Sequence, residues 1–234
     1  MHPAYHICRK ELRTYFVSPI AYIVIAIFLL VAGWFFFAPF FLFNQANLRN
    51  FFALLPTVFA FAVPAITMRL FAEELNVGSY ETLLTMPVSF RDVVLGKFLA
   101  AVVFVVAMLI PTLAYPITVA VLGSLDWGPV LGGYLGAVLL ASAFAAAGLF
   151  ASALTRSQIV AFIIGMAICF ALTLIDQMLF FLPRSLLGVF SYFAADVHFQ
   201  TISKGILDTR DILYFLSLCF LGLYGTNLVL SAKH

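Results

Sequence analysis

The sequence predicts an all-α integral membrane protein with six transmembrane helices, and three observations carry that prediction. Of 234 residues, 65% are hydrophobic and only 9% charged, with a mean hydropathy of +1.13; soluble domains carry about 25% charge. Apolar runs long enough to cross a hydrocarbon core of roughly 30 Å recur along the chain, separated by short polar turns. Seven charged residues gather between Arg69 and Lys97, flanked by nearly pure hydrocarbon. A charge at the centre of a spanning helix costs about 2.5–3.5 kcal/mol, so this stretch is expected in water on one face of the bilayer.

The elements follow in order. His2 to Phe16 sets Arg9, Lys10, Glu11 and Arg13 against Tyr5, Cys8, Leu12, Tyr15 and Phe16 at helical spacing, which predicts an amphipathic helix along the membrane surface. The apolar run that follows is too long for a secretory leader, and no small-residue cleavage site follows it. The first span covers residues 19–43, with Ser18 as N-cap and Pro19 at the first helical position. The second covers 51–71 and carries Pro56 and Pro64, which free the carbonyls of Phe52 and Ala60 and should kink it.

Ser89 with Asp92 forms a capping box, stapled by Val88 and Val93, that opens a third span over 93–122; Pro111 and Pro116 bend its outer half. The fourth, 129–154, holds a GxxxG at Gly132 and Gly136 followed by Ala137, Ala141, Ala145, Gly148 and Ser152, a pattern that serves close helix packing. Thr155 to Gln158 repeats a capping box before the fifth span, 158–182. Residues 183–211 are too apolar for a solvated loop and are expected to form short helices on the outer leaflet. Asp208 and Asp211 repeat the capping geometry before the sixth span, 212–230. The chain is read as a single transmembrane domain, 1–234.

Charge sets the orientation. With the N-terminus inside, the inner face holds Arg9, Lys10, Arg13, Arg69, Arg91, Lys97, Arg156 and Lys233, against Arg49, Arg184, Lys204 and Arg210 outside. That excess predicts both termini in the cytoplasm. The Arg69–Lys97 connection is then cytoplasmic and has internal punctuation. Glu73 and Glu74 close a helical extension that Gly78 ends in a left-handed residue. Ser79 caps a short new helix with Glu81 in its first turn; Tyr80, Leu83 and Leu84 share its apolar face, and Pro87 stops it at Met86. Exposed Leu83, Leu84 and Met86 mark a contact surface.

At these residues the chain resembles a known family. AEELNVGSYETLLTMPVSFRDVVLGKFLAA is similar to the segment between the second and third spans of ABC-2 type permeases. RKELRTYFVSPIAYIV resembles their connecting helix and first span, and HFQTISKGILDTRDILYFLSL the approach to their last span; the nearest likeness is to the permeases of gliding-motility-type ABC complexes. The resemblance implies a membrane-spanning permease subunit of the bacterial cytoplasmic (inner) membrane, coupling ATP hydrolysis on a separate subunit to export or mechanical work.

Its implied partners are an ABC ATPase subunit carrying ATP and magnesium, a second permease copy or homologue forming a dimer, an auxiliary periplasmic or membrane subunit, and the lipid bilayer; no nucleic acid is implied. By position, Glu73, Glu74, Gly78, Ser79, Tyr80, Glu81, Leu83, Leu84, Pro87 and Arg91 match the ATPase-coupling interface, with a coupling helix at its centre. Arg9, Lys10 and Arg13 match the connecting helix, and Phe190, Phe193 and His198 the external gate segment. Tyr80 and Met86 stand where the family more often has Leu.

The residues also exclude chemistry. No GxxxxGK[ST] occurs, since Gly96–Lys97 is preceded by Arg91 and followed by Phe98, so no ATPase or other cofactor site is expected on this chain. The scattered histidines (His2, His6, His198, His234) and cysteines (Cys8, Cys169, Cys219) form neither metal cluster nor disulfide framework. Catalytic constellations are missing. The competing class is a secondary transporter or channel subunit, which would place ionisable groups at mid-membrane; Asp176 is the sole acid deep in a predicted span.

Overall fold

The structure, a computed structural model, describes residues 3–43, 48–78, 89–123, 125–178 and 192–233. Among them the regular structure is helical: α1 (Pro3–Val17), α2 (Pro19–Phe43), α3 (Arg49–Thr67), α4 (Arg69–Val77), α5 (Phe90–Leu109), a 3₁₀ turn (Ile110–Leu113), α6 (Ala114–Leu122), α7 (Trp127–Leu154), α8 (Gln158–Met178), α9 (Ala195–Ser203) and α10 (Thr209–Ala232). Taking α3–α4 and α5–α6 as continuous units, six helices are long and apolar enough to cross a membrane.

The bundle is built around α7, which packs against α3, α4, α5, α8, α9 and α10. Its small residues explain this. A side chain at Gly132 would strike the Ile202 carbonyl of α9, one at Gly133 the Phe52 ring of α3, and one at Gly148 the Thr67 hydroxyl. From the facing side, Gly222 of α10 sits against the Ala146 backbone, where a Cβ would come within 2.8 Å. Without water to drive helices together, such close approach is what holds membrane helices in place. Phenylalanines fill what remains, with Phe51, Phe59, Phe71, Phe104, Phe144, Phe199 and Phe215 fully buried. By contrast, α2 turns Ile20, Ile23, Ile27, Leu30 and Trp34 outward.

Local chemistry sets the boundaries. Ser89 Oγ accepts from Asp92 N–H at 3.2 Å and donates to the Asp92 carboxylate at 2.6 Å, the expected capping box. It starts the helix at Phe90, three residues before the expected span. Pro111 produces the 3₁₀ turn that bends the outer half of the third span. Gly78 ends α4 with φ 77°, left-handed as expected. Ser18 Oγ accepts from Ile20 N–H at 3.3 Å.

Three expectations are corrected. Asp126, read as part of a turn, caps α7 by accepting from Gly128 N–H at 3.1 Å, so that helix begins at Trp127. Asp208 caps α10, but Asp211 turns away from the cap toward His198. Pro56 and Pro64 lie inside a continuous α3, and a separate discontinuity follows it at Met68. On α1 Glu11, expected on the charged side, joins Ile7 and Tyr15 on the face packed against the bundle.

Both chain ends meet the same end of the bundle. Glu11 of α1 reaches α4 and α5 there, and Lys233 Nζ donates to Ala153 O at 2.7 Å at the end of α7. Burial and the nearby Arg156 lower the Lys233 pKa.

Candidate functional site

The site lies at that end, where α1, α4, α5 and α7 converge. Lys97, expected in water, is 1% exposed. It stands eight residues beyond the Ser89 cap, about 12 Å along the helix axis, which carries it into the packed interior. An ammonium has three donors, and all three are used: Glu74 Oε1 at 2.7 Å, Leu70 O at 2.8 Å and Glu11 Oε1 at 3.0 Å. The Phe71 ring lies 5.2 Å from the charge. One side chain of α5 therefore holds α1 and α4 together.

Gly96 makes the contact reachable. A Cβ there would come within 2.8 Å of both the Ala4 carbonyl and Ile7 Cβ, so only glycine lets α1 lie directly on α5 with Glu11 over Lys97. Tyr15, one turn beyond Glu11, donates to Ile66 O at 2.9 Å, and Arg69 lies 5.6 Å from the Tyr15 ring. Burial pushes the Tyr15 phenol up, with Glu11 adding to the effect and Arg69 opposing it, so the hydroxyl stays a donor.

The second part of the site is the break between α3 and α4. Ser152 of α7 inserts its hydroxyl there, accepting from Phe71 N–H at 3.1 Å and Ala72 N–H at 3.0 Å and donating to Met68 O at 2.8 Å. The hydroxyl thus meets the first turn of α4 just where the α3 ladder stops, supplying an acceptor to its amides from a neighbouring helix. Thr67 turns its own hydroxyl to Val63 O at 3.0 Å and rests on Gly148, one turn before Ser152. Membrane helices accept such breaks only where a neighbour satisfies the backbone.

The predicted coupling residues divide around this clasp. Glu73 is exposed and 3.9 Å from Arg69, whereas Glu74 is turned inward to Lys97 with its second oxygen buried and without a partner among the described residues. Gly78 and Arg91 are exposed on either side of the connection. Ser79, Tyr80, Glu81, Leu83, Leu84 and Pro87 lie outside the described residues, as does the short helix read there. Arg9, Lys10 and Arg13 sit on the exposed side of α1. Among the described residues no His, Cys, Asp and Glu group is arranged to hold a metal.

The opposite end holds a second buried polar cluster. His198 Nδ1 lies 2.6 Å from Asp211 Oδ1, and Nε2 lies 3.0 Å from Tyr192 O. The imidazole stacks on Tyr214, 4.1 Å between ring centres, and Tyr214 donates to Phe193 O at 2.7 Å. Asp176, at the end of α8, acts on Asp196 of α9. Burial first, then the Asp176 carboxylate, raise the Asp196 pKa against a hydrogen bond from Gln200 that lowers it. Of the gate residues expected from sequence, His198 is buried and Phe193 exposed; Phe190 lies outside the described residues.

The ABC-2 family transporter protein model matches residues 5–217, which contain the clasp, the break and the outer cluster. The chain belongs to the ABC-2 transporter family. A comparison with curated proteins returns no match. For an ABC-2 protein the six-span, all-helical architecture is the expected one, and it makes the chain a multi-pass membrane protein and a transporter permease subunit. Sequence reasoning about this ABC-2 chain missed Glu11, Lys97 and Ser152 as structural partners. The signal available was Lys97 itself, a lone cation embedded among Val93, Val94, Phe98 and Leu99.

Proposed function

We propose that the chain is the membrane-spanning subunit of an ABC transporter of the cytoplasmic membrane, both termini in the cytoplasm. It works as a dimer and converts ATP hydrolysis on partner ATPases into export or mechanical work. The ABC-2 family generally works with an ABC ATPase subunit. The observation that carries the reading is the Lys97 clasp. A partner pushing on the Gly78–Ser89 connection moves the ends of α4 and α5 directly, and Lys97 passes that movement to α1 through Glu11. The break at Met68 lets α4 turn while α3 stays packed on α7 and α8. The gliding-motility subtype rests on the sequence resemblance alone.

Copurification of the chain from its native membrane tests this. A P-loop ATPase is expected in the complex, with its MgATP turnover altered by the permease. The Glu11→Gln, Lys97→Met, Glu74→Gln triple variant, which removes the clasp without leaving a buried charge, should keep the ATPase bound and lose that effect on turnover. A native complex with no nucleotide-hydrolysing chain would overturn the proposal.

A further inference from the structure

The elbow where α1 turns into α2 carries a groove of about 970 Å³, and four of its lining residues are Arg9, Lys10, Arg13 and Arg69. Among the described residues no carboxylate lines it. Glu11, the acid of α1, faces the other way toward Lys97. Arg9, Lys10 and Arg13 have no ion pair among the described residues; Arg69 pairs with exposed Glu73 at 3.9 Å, and the other carboxylates nearby, Glu11 and Glu74, lie with Lys10 and Arg69 in the adjoining cavity and turn to Lys97. Like charges crowded on one helix repel each other, so this arrangement is completed by an anion.

The surface beside the groove is the opposite in character. Phe16 and Val17 at the end of α1, then Ile20, Ile23 and Ile27 on one face of α2, are exposed. Basic floor and hydrocarbon wall are thus continuous. The elbow between them is fixed: Ser18 caps α2, Ser18 N–H donates to Tyr15 O at 3.1 Å, and Tyr22 donates to Phe16 O at 3.0 Å. A free phosphate or an acidic protein would match the cations and leave the hydrocarbon uncovered. An amphiphile with an anionic head and apolar chains matches both.

We propose that this elbow binds an anionic phospholipid of the surrounding bilayer, its headgroup phosphate held by Arg9, Lys10, Arg13 and Arg69 and its acyl chains lying along Ile20, Ile23 and Ile27. The bound lipid fixes the position of α1 at the membrane surface, and through Glu11 the state of the Lys97 clasp.

The test uses the full chain in nanodiscs mixing phosphatidylglycerol and phosphatidylcholine with identical acyl chains, with retained lipids counted by native mass spectrometry. Wild type should retain phosphatidylglycerol in excess of its bulk share. The preference should fall about fivefold for each charge removed in Arg9→Gln, Lys10→Gln and Arg13→Gln. It should survive in Arg9→Lys/Arg13→Lys, which keeps the charge, and in Arg156→Gln, which removes a cation elsewhere. The single variants keep the test decisive if the triple variant fails to fold. Equal retention of the two lipids would overturn the proposal. So would full displacement by millimolar inorganic phosphate, which marks a free-anion site, or a triple variant that keeps its lipid preference and loses a copurifying ATPase, which marks a protein site.

Discussion

Lys97 Nζ stands 2.7 Å from Glu74 Oε1, joining the two helices that flank the 78–89 connection through a fully buried charge. A buried ion pair is weak evidence for stability in itself, because taking both charges out of water offsets much of their attraction. Its consequence is geometric. With Glu11 as the third member, α1 cannot shift on α5 without giving up a charge-assisted hydrogen bond.

Lys97→Met is therefore expected to destabilise by about 3 kcal/mol, since it strands the partly buried carboxylates of Glu11 and Glu74 without their counter-charge. Adding Glu11→Gln and Glu74→Gln should recover most of that loss. Thermal unfolding in detergent of the single, double and triple variants measures it; additive losses across the series would show that the three residues do not act as a unit.

Ser152→Ala should loosen the break between α3 and α4. The hydroxyl serves two amides and one carbonyl at a fully buried position, so its loss costs about 1–3 kcal/mol. Hydrogen exchange distinguishes the outcomes. Faster exchange confined to Phe71 and Ala72 fits a loosened hinge, and unchanged protection there would mean that the helix closes its own ladder without Ser152.

The six spans were legible because the length and composition of an apolar run report membrane crossing directly. Ser89 with Asp92, Gly78 and Pro111 announced their elements because each acts on its own neighbours in sequence. What escaped the sequence depends on partners far along the chain. Glu11 and Lys97 are 86 residues apart and Ser152 meets Ala72 across 80, so neither pairing leaves a local pattern. The break at Met68 escaped for the same reason, since the hydroxyl that meets it comes from α7. On α1 the residue that escaped was Glu11, a charge that belongs to the packed side with Tyr15.

Asp196→Asn should stabilise the outer end at neutral pH. Burial and Asp176 raise the Asp196 pKa in the folded chain, so its charged form is disfavoured there. The folded state holds its proton more tightly than the unfolded one. Stability from this group is thus full below the unfolded carboxylate pKa and is lost as pH rises through the folded value. The variant should melt above wild type near pH 7, with the gap closing in acid; a gap independent of pH would remove the carboxylate as its cause.

The His198–Asp211 pair should behave as a lock between α9 and α10. Tyr192 O can only accept, and an ionised Asp211 can only accept, so His198 satisfies both neighbours only when the pair holds two protons between its ring nitrogens and the carboxylate. His198→Ala is expected to destabilise by about 3–5 kcal/mol, because Asp211 is 6% exposed and its other oxygen has no partner among the described residues. Asp211→Asn alone should cost less, since an amide can still meet the ring. In the double variant the two losses should overlap, giving a coupling energy of about 1 kcal/mol or more. If the losses add in unfolding measurements, Tyr214 stacking and not the ion pair holds His198 in place.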